Sequence, residues 1–248
     1  MVAARTPDFG NRDSFTVFAR PSSRPVLLEV APELASWEHK GHPSQHRISA
    51  FLGHLREVGA AQRAGIAGPL ALSLEIGLPE STDLLHQRDL DNYLQRVGQD
   101  YASDGLVSAW ASKRHAARSA FALAPAAPLA GDELAGWAFA SARPLGSSQH
   151  ADWRRQIAEQ VAAQAAPAPE GPLEMHVAFR VDPAARAWTN LWKPVIDALT
   201  PVLGEEPASH RLEPRDGRIT TLGLHLNAAP GTGWAVELGY WWRTATNS

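Results

Sequence analysis

GPLALSLEIGLP (68–79) and GPLEMHVAFRVDP (171–183) decide the fold. Both open on Gly-Pro-Leu, both alternate apolar residues with small or polar ones, and both stop at a proline. A Gly-Pro turn followed by period-two alternation predicts a half-buried β-strand, over 70–78 in one case and 173–181 in the other. The signal recurs after roughly a hundred residues, which predicts one structural unit present in two copies.

Outward from these strands, further matches keep the same order. ELASW (33–37) returns as ELAGW (133–137), SQH (44–46) returns at 148–150, and SAFALAPAAP (119–128) is echoed by TLGLHLNAAP (221–230). Ahead of each Gly-Pro turn lies an amphipathic helix. The first, 48–64, carries Phe51, Leu52, Leu55 and Val58 at helical spacing; the second, 151–166, carries Trp153, Ile157 and Val161. After each strand come a loop, a second helix (91–103 and 189–203) and a closing strand, read in ARSAFALAP (117–125) and GRITTLGLHLN (217–227). SFTVFAR (14–20) and GWAVELGYWW (233–242) read as edge strands. The expected fold class is α+β, with two tandem units, 1–126 and 127–248, each a mixed sheet flanked by helices. The Ala/Pro-rich stretch around 124–131 joins them, and they are expected to pack as a pseudo-dimer about an approximate two-fold axis. An internal pseudo-dimer leaves the chain free to act as a monomer.

Composition narrows the function classes. The chain has 248 residues, 44% hydrophobic and 20% charged, which is ordinary for a soluble globular protein. A formal net charge of −3 excludes a surface that is basic throughout, although a local basic stripe survives in such an average. Without cysteine there are neither disulfides nor thiolate metal sites. The first residues, MVAARTPDFGNRDSF, lack the apolar core of a signal peptide, and no apolar run approaches the ~20 residues that span a bilayer. A cytoplasmic protein with no membrane partner is the expectation.

The chemistry-bearing stretch is RDLDNYLQRV (88–97), whose repeat counterpart is RAWTNLWKPV (186–195). Arg88 aligns with Arg186 and Asn92 with Asn190, but Asp89 and Asp91 become Ala187 and Thr189, while Gln95 becomes Lys193. Extended, Asp89 and Asp91 would point to the same side, a geometry suited to sharing a metal ion. Helix capping is the competing explanation, since Asp is a favoured N-cap worth roughly 1 kcal/mol.

The combined pattern resembles the RusA-like Holliday-junction resolvases, whose D-x-D-N-x-x-K motif is followed by a D-A-L helix and an acidic residue before the next strand. Asp89, Asp91 and Asn92 match its first part; Asn190, Lys193, Asp197-Ala198-Leu199 and Asp216-Gly217-Arg218-Ile219 match the rest. SFTVFARPSSRPV also looks like that family's first strand and Pro/Arg-rich loop. The resemblance implies a Mg²⁺- or Mn²⁺-dependent endonuclease acting on branched or irregular duplex DNA. It implies Asp89 and Asp91 as metal ligands, Asp216 as third acid, and Lys193 as the cation facing the scissile phosphate. Arg88, Asn92, Asn190, Lys113 and Arg114 would support substrate binding. For the third acid Glu75 and Asp104 are alternatives. No single half carries the whole pattern, so either the halves complete one composite site or both are remnants. In the second case the chain is an inactive scaffold for DNA or a protein partner.

Other features read as structural. His39, His42 and His46 fall in a polar loop rather than on one helix face, and Trp37 and Trp137 occupy equivalent repeat positions expected in the core. Trp188 and Trp192 flank the altered motif, where they would either stack on unpaired bases or pack in the core. Lys113, Arg114, His115 and Arg118 form the densest basic cluster. It is suited to phosphates, or equally to a solvated surface.

Overall fold

The computed structural model describes residues 11–22, 24–34, 42–86, 88–206 and 213–246. The ELASW motif beyond Leu34, with Trp37 and His39, lies outside them.

All strands join one eight-stranded sheet. The elements are β1 (Val26–Leu27), α1 (Pro43–Ala64), β2 (Leu70–Leu78), α2 (Leu90–Tyr101), β3 (Leu106–His115), β4 (Ala120–Pro125), β5 (Ala138–Ala142), α3 (Ala151–Ala162), β6 (Leu173–Val181), α4 (Trp192–Ile196), α5 (Thr200–Leu203), β7 (Ile219–Ala228) and β8 (Val236–Thr244). Their order across the sheet is β1-β4-β2-β3-β7-β6-β8-β5. It has the same scheme from either edge. β2 runs parallel to β3 and antiparallel to β4, just as β6 runs parallel to β7 and antiparallel to β8. Both parallel pairs even slip register at the same place, between Leu70 and Ala71 and between Leu173 and Glu174. The halves meet where β3 and β7 pair antiparallel, with Ser108 opposite His225 and Ser112 opposite Thr221.

The two parallel pairs need crossovers, and helices supply them. One sheet face, built from Leu70, Leu72, Leu74 and Ile76 of β2 and Met175, Val177 and Phe179 of β6, packs under the helices as the main core. α2 contributes Leu90, Leu94, Val97 and Tyr101, spaced so that one stripe meets the sheet. The second crossover is not the single helix expected over 189–203. It is a 3₁₀ turn, Trp188–Leu191, followed by the short α4 and α5. Pro194 and Pro201 explain the break, because proline lacks the N–H and crowds the preceding turn. On the opposite sheet face a smaller cluster forms from Phe15, Val17, Trp137, Ala178 and Trp241.

Several expected elements are corrected. LVSAWASKRH forms a central strand, β3, absent from the expected elements. Consequently the two closing strands are not equivalent: β4 has the place in its half that β8 has in the other, and β7 corresponds to β3. The AAP echo had aligned them one strand out of step. SFTVFAR contributes only a bridge between Phe18 and Pro128, and otherwise crosses the smaller core. GWAVELGYWW supplies β8, an interior strand between β6 and β5; the edges are β1 and β5. Trp188 (4% exposed) and Trp192 (0%) are buried edge-to-face and therefore not available for bases, and Trp137 is also buried. His42 caps α1 by accepting from the Ser44 N–H. Among the described residues no helix is long and apolar enough to cross a membrane.

Candidate active site

The loop from β2 ends at Arg88, whose φ of 64° is the only positive value among the described non-glycine residues. A side-chain-bearing residue there is strained by roughly 1–2 kcal/mol. The turn it makes presents its carbonyl to Lys113 Nζ at 3.2 Å, while its side chain hydrogen-bonds Tyr93. Asp89 follows as the N-cap of α2, yet its side chain makes no hydrogen bond to the helix N–H groups. It accepts instead from Asn92 Nδ2 at 3.0 Å. Capping therefore does not account for the Asp89 carboxylate.

Asp91, in the first turn of α2, points inward and is 2% exposed. Its Oδ2 is buried without a hydrogen-bond donor, and Lys193 Nζ approaches it at 3.9 Å. Burial raises the carboxyl to about 6; Asp89 and Asp197 add to the rise, and Lys193 opposes it.

Lys193 comes from the other half of the chain, on α4. It donates to Asp197 Oδ1 at 3.0 Å, one turn further on, and Asp197 also lies 3.8 Å from Arg154. Burial pulls the Lys193 ammonium down, but Asp91 and Asp197 outweigh it and the net direction is upward. Asp216 opens the 3₁₀ turn, Asp216–Arg218, that leads into β7. Antiparallel pairing sets the start of β7 beside the end of β3, which delivers Asp216 to Asp89 and Asp91. Burial pushes Asp216 to about 8, with Asp89 and Asp91 repelling its charge, Lys193 countering, and a hydrogen bond to Asp89 requiring a shared proton.

Lys113 links the two contributions. On β3 it pairs with Ile76 and so faces the helices, 4% exposed. Its Nζ donates to Gly217 O at 2.6 Å and to Arg88 O at 3.2 Å. One lysine thus ties the residue before Asp89 to the residue after Asp216. Burial lowers Lys113 to about 8, resisted by Asp89, Asp216, Asp83 and Asp91 in that order.

Asp89 and Asp91 are thus brought together with Asp216, Lys193 and Lys113, while other expected residues are placed elsewhere. Arg114 is next to Lys113 on a strand and so faces the opposite side of the sheet, where it pairs with Glu75. Glu75 also pairs with Arg20 and is not the third acid. Asp104 gives its carbonyl to Arg63, and its charge acts on Arg56 and Tyr101, away from the cluster. Asn190 accepts from Gln99 Nε2 at 3.1 Å rather than joining Asp89. Asp197, one turn along from Lys193, holds it in position. Nothing local in the sequence marks Lys113 as interior; its burial follows from the register of β3 against β2.

As they stand, no three His or carboxylate side chains among the described residues close around a single point as metal ligands would. The donor chemistry nevertheless suits a hard divalent cation. Burial, with the neighbouring carboxylates adding to it, holds Asp91 and Asp216 partly protonated near neutrality, and one oxygen of Asp91 is buried without a donor. No family model and no curated protein matches the chain.

Proposed function

We propose that the chain is a tandem RusA-like duplication acting as a divalent-metal-dependent DNA endonuclease on branched or irregular duplex, at one composite site. The observation that carries this reading is the meeting of Asp89 and Asp91 from one half with Lys193 and Asp216 from the other. The palindromic strand order supports the duplication and the pseudo-two-fold pairing.

Asp89, Asp91 and Asp216 would hold Mg²⁺ or Mn²⁺, which supplies a polarised phosphoryl oxygen and an activated water. The chain's own groups do the rest. Lys193, kept cationic by Asp91 and Asp197, stabilises negative charge developing on the phosphate. Lys113 keeps the two acidic segments in register through the Arg88 and Gly217 carbonyls. Asn92 orients Asp89.

Asp89→Asn combined with Asp91→Asn is expected to abolish Mg²⁺-dependent cleavage of junction, flap and linear DNA while leaving the fold intact. Undiminished cleavage by that variant would refute the assignment. A second reading, an inactive DNA-binding or protein-interaction scaffold, draws on Lys193 and Lys113, which already offset part of the carboxylate charge. Junction binding in EDTA, with no cleavage under Mg²⁺ or Mn²⁺, would select it.

A further inference from the structure

The halves of the sheet share one pairing scheme, so each feature of the acidic site has a counterpart at the other end of the β3–β7 pair. There the acids are gone. Ala187 and Thr189 replace Asp89 and Asp91, Gln95 replaces Lys193, and Gln99 replaces Asp197. The place is also filled. Thr189 is 2% exposed, Gln95 is 5% exposed with its Oε1 unpartnered, and Gln99 is held by Asn190. Trp192 packs so tightly on α2 that a Cβ added to Gly98 would lie 2.1 Å from its ring. By register Ser103 holds the place of Asp216, and the acids nearby are turned to other partners, the charge of Asp104 acting on Arg56 and Tyr101. Asp100 is held by Arg56, and Asp182 accepts from the Ala184 and Gly231 N–H groups.

We infer that the chain cuts one DNA strand per engagement, making it a nicking enzyme rather than one that makes paired incisions. This rests on the endonuclease reading above and specifies its outcome. Two coordinated cuts need two carboxylate clusters acting on two strands; a single chain offers one cluster and one closed counterpart that lacks the aspartate pair. Each event consumes one water. Its oxygen bonds to phosphorus, one P–O ester bond breaks, and the water proton ends on the departing sugar oxygen. One phosphate monoester end and one hydroxyl end result, with the opposite strand intact.

A supercoiled plasmid bearing an extruded inverted repeat separates the outcomes. At equimolar protein and plasmid with Mg²⁺, nicked circles are expected as the sole early product, with linear DNA appearing only after a lag. Linear DNA formed without a nicked intermediate would overturn the inference while leaving the endonuclease assignment standing. No cleavage under Mg²⁺ or Mn²⁺, by protein whose circular dichroism shows it folded, would remove the endonuclease assignment and this inference with it.

Discussion

Replacing Asp216 with Asn should stabilise the protein even though it removes a residue of the proposed site. Asn has nearly the same shape, but it carries no charge for Asp89 and Asp91 to repel. Burial and those two neighbours carry the Asp216 carboxyl from 3.8 to about 8. At about 1.4 kcal/mol per tenfold change in proton affinity, that displacement sets an upper limit of roughly 6 kcal/mol. Lys193 lies beside the cluster and the side chains relax, so about 1–3 kcal/mol is a realistic gain. For a chain of this size this raises Tm by roughly 3–10 °C. The pH dependence has a definite sign. A carboxyl whose folded value lies above its unfolded one destabilises the fold at high pH and ceases to do so as pH falls to the unfolded value. The advantage of Asp216→Asn over the parent should therefore be complete above about pH 8 and vanish near pH 4. Thermal unfolding of both proteins in EDTA at pH 8.5, 7 and 4.5 measures it. A variant less stable than the parent at pH 8.5 would refute the picture of mutually repelling carboxylates.

Lys113→Met should cost about 1–3 kcal/mol in urea unfolding, since two interior carbonyls lose a charged donor. It should lower cleavage by more than the stability loss explains, because the Arg88 and Gly217 segments are no longer tied. On the other sheet face, His176 and His225 lie 3.1 Å apart, with Ser108 on His225 Nδ1 and Arg243 stacked over Trp137 nearby. Burial, with Arg243 adding, brings His176 down to about 3, and burial with His176 lowers His225 strongly. Both rings are therefore neutral in the fold. Their contribution is present above the unfolded value of about 6.5 and is lost as pH falls below it. Two histidine ring signals in the NMR spectrum should stay fixed from pH 8 to 5, and a ring titrating near 6.5 would contradict the packing.

What the sequence disclosed follows from where its signals were strong. Alternation in 70–78 and 173–181 is clean because each strand has one face under helices, and both strands appear at those bounds. Asp89 and Asp91 were legible as a pair, and the division of the motif between the halves raised the possibility of one composite site. β3 was hidden because its apolar face ends in a lysine. Lys113 looks like surface sequence, and the Arg88 and Gly217 carbonyls that satisfy it in the interior come from distant segments. The mismatch between closing strands had a similar origin. Small apolar residues ending in Ala-Ala-Pro occur on β4 and at the end of β7, so short-range similarity outweighed topology. The broken second crossover is legible in principle from Pro194 and Pro201, but the repeat layout, with a single helix at the matching place in the first half, points to one long helix. Which face of β3 each cation occupies, and hence that Arg114 leaves the site while Lys113 joins it, depends on register and was not available locally.

The central claim is that carboxylates from the two halves form one site. Isothermal titration with Mn²⁺ tests it most directly, comparing the parent with Asp89→Asn and Asp216→Asn separately. One Mn²⁺ per chain in the parent, with loss of binding in both variants, is the result expected. Unchanged Mn²⁺ affinity in Asp216→Asn would show that the second half contributes no ligand and would contradict the composite site.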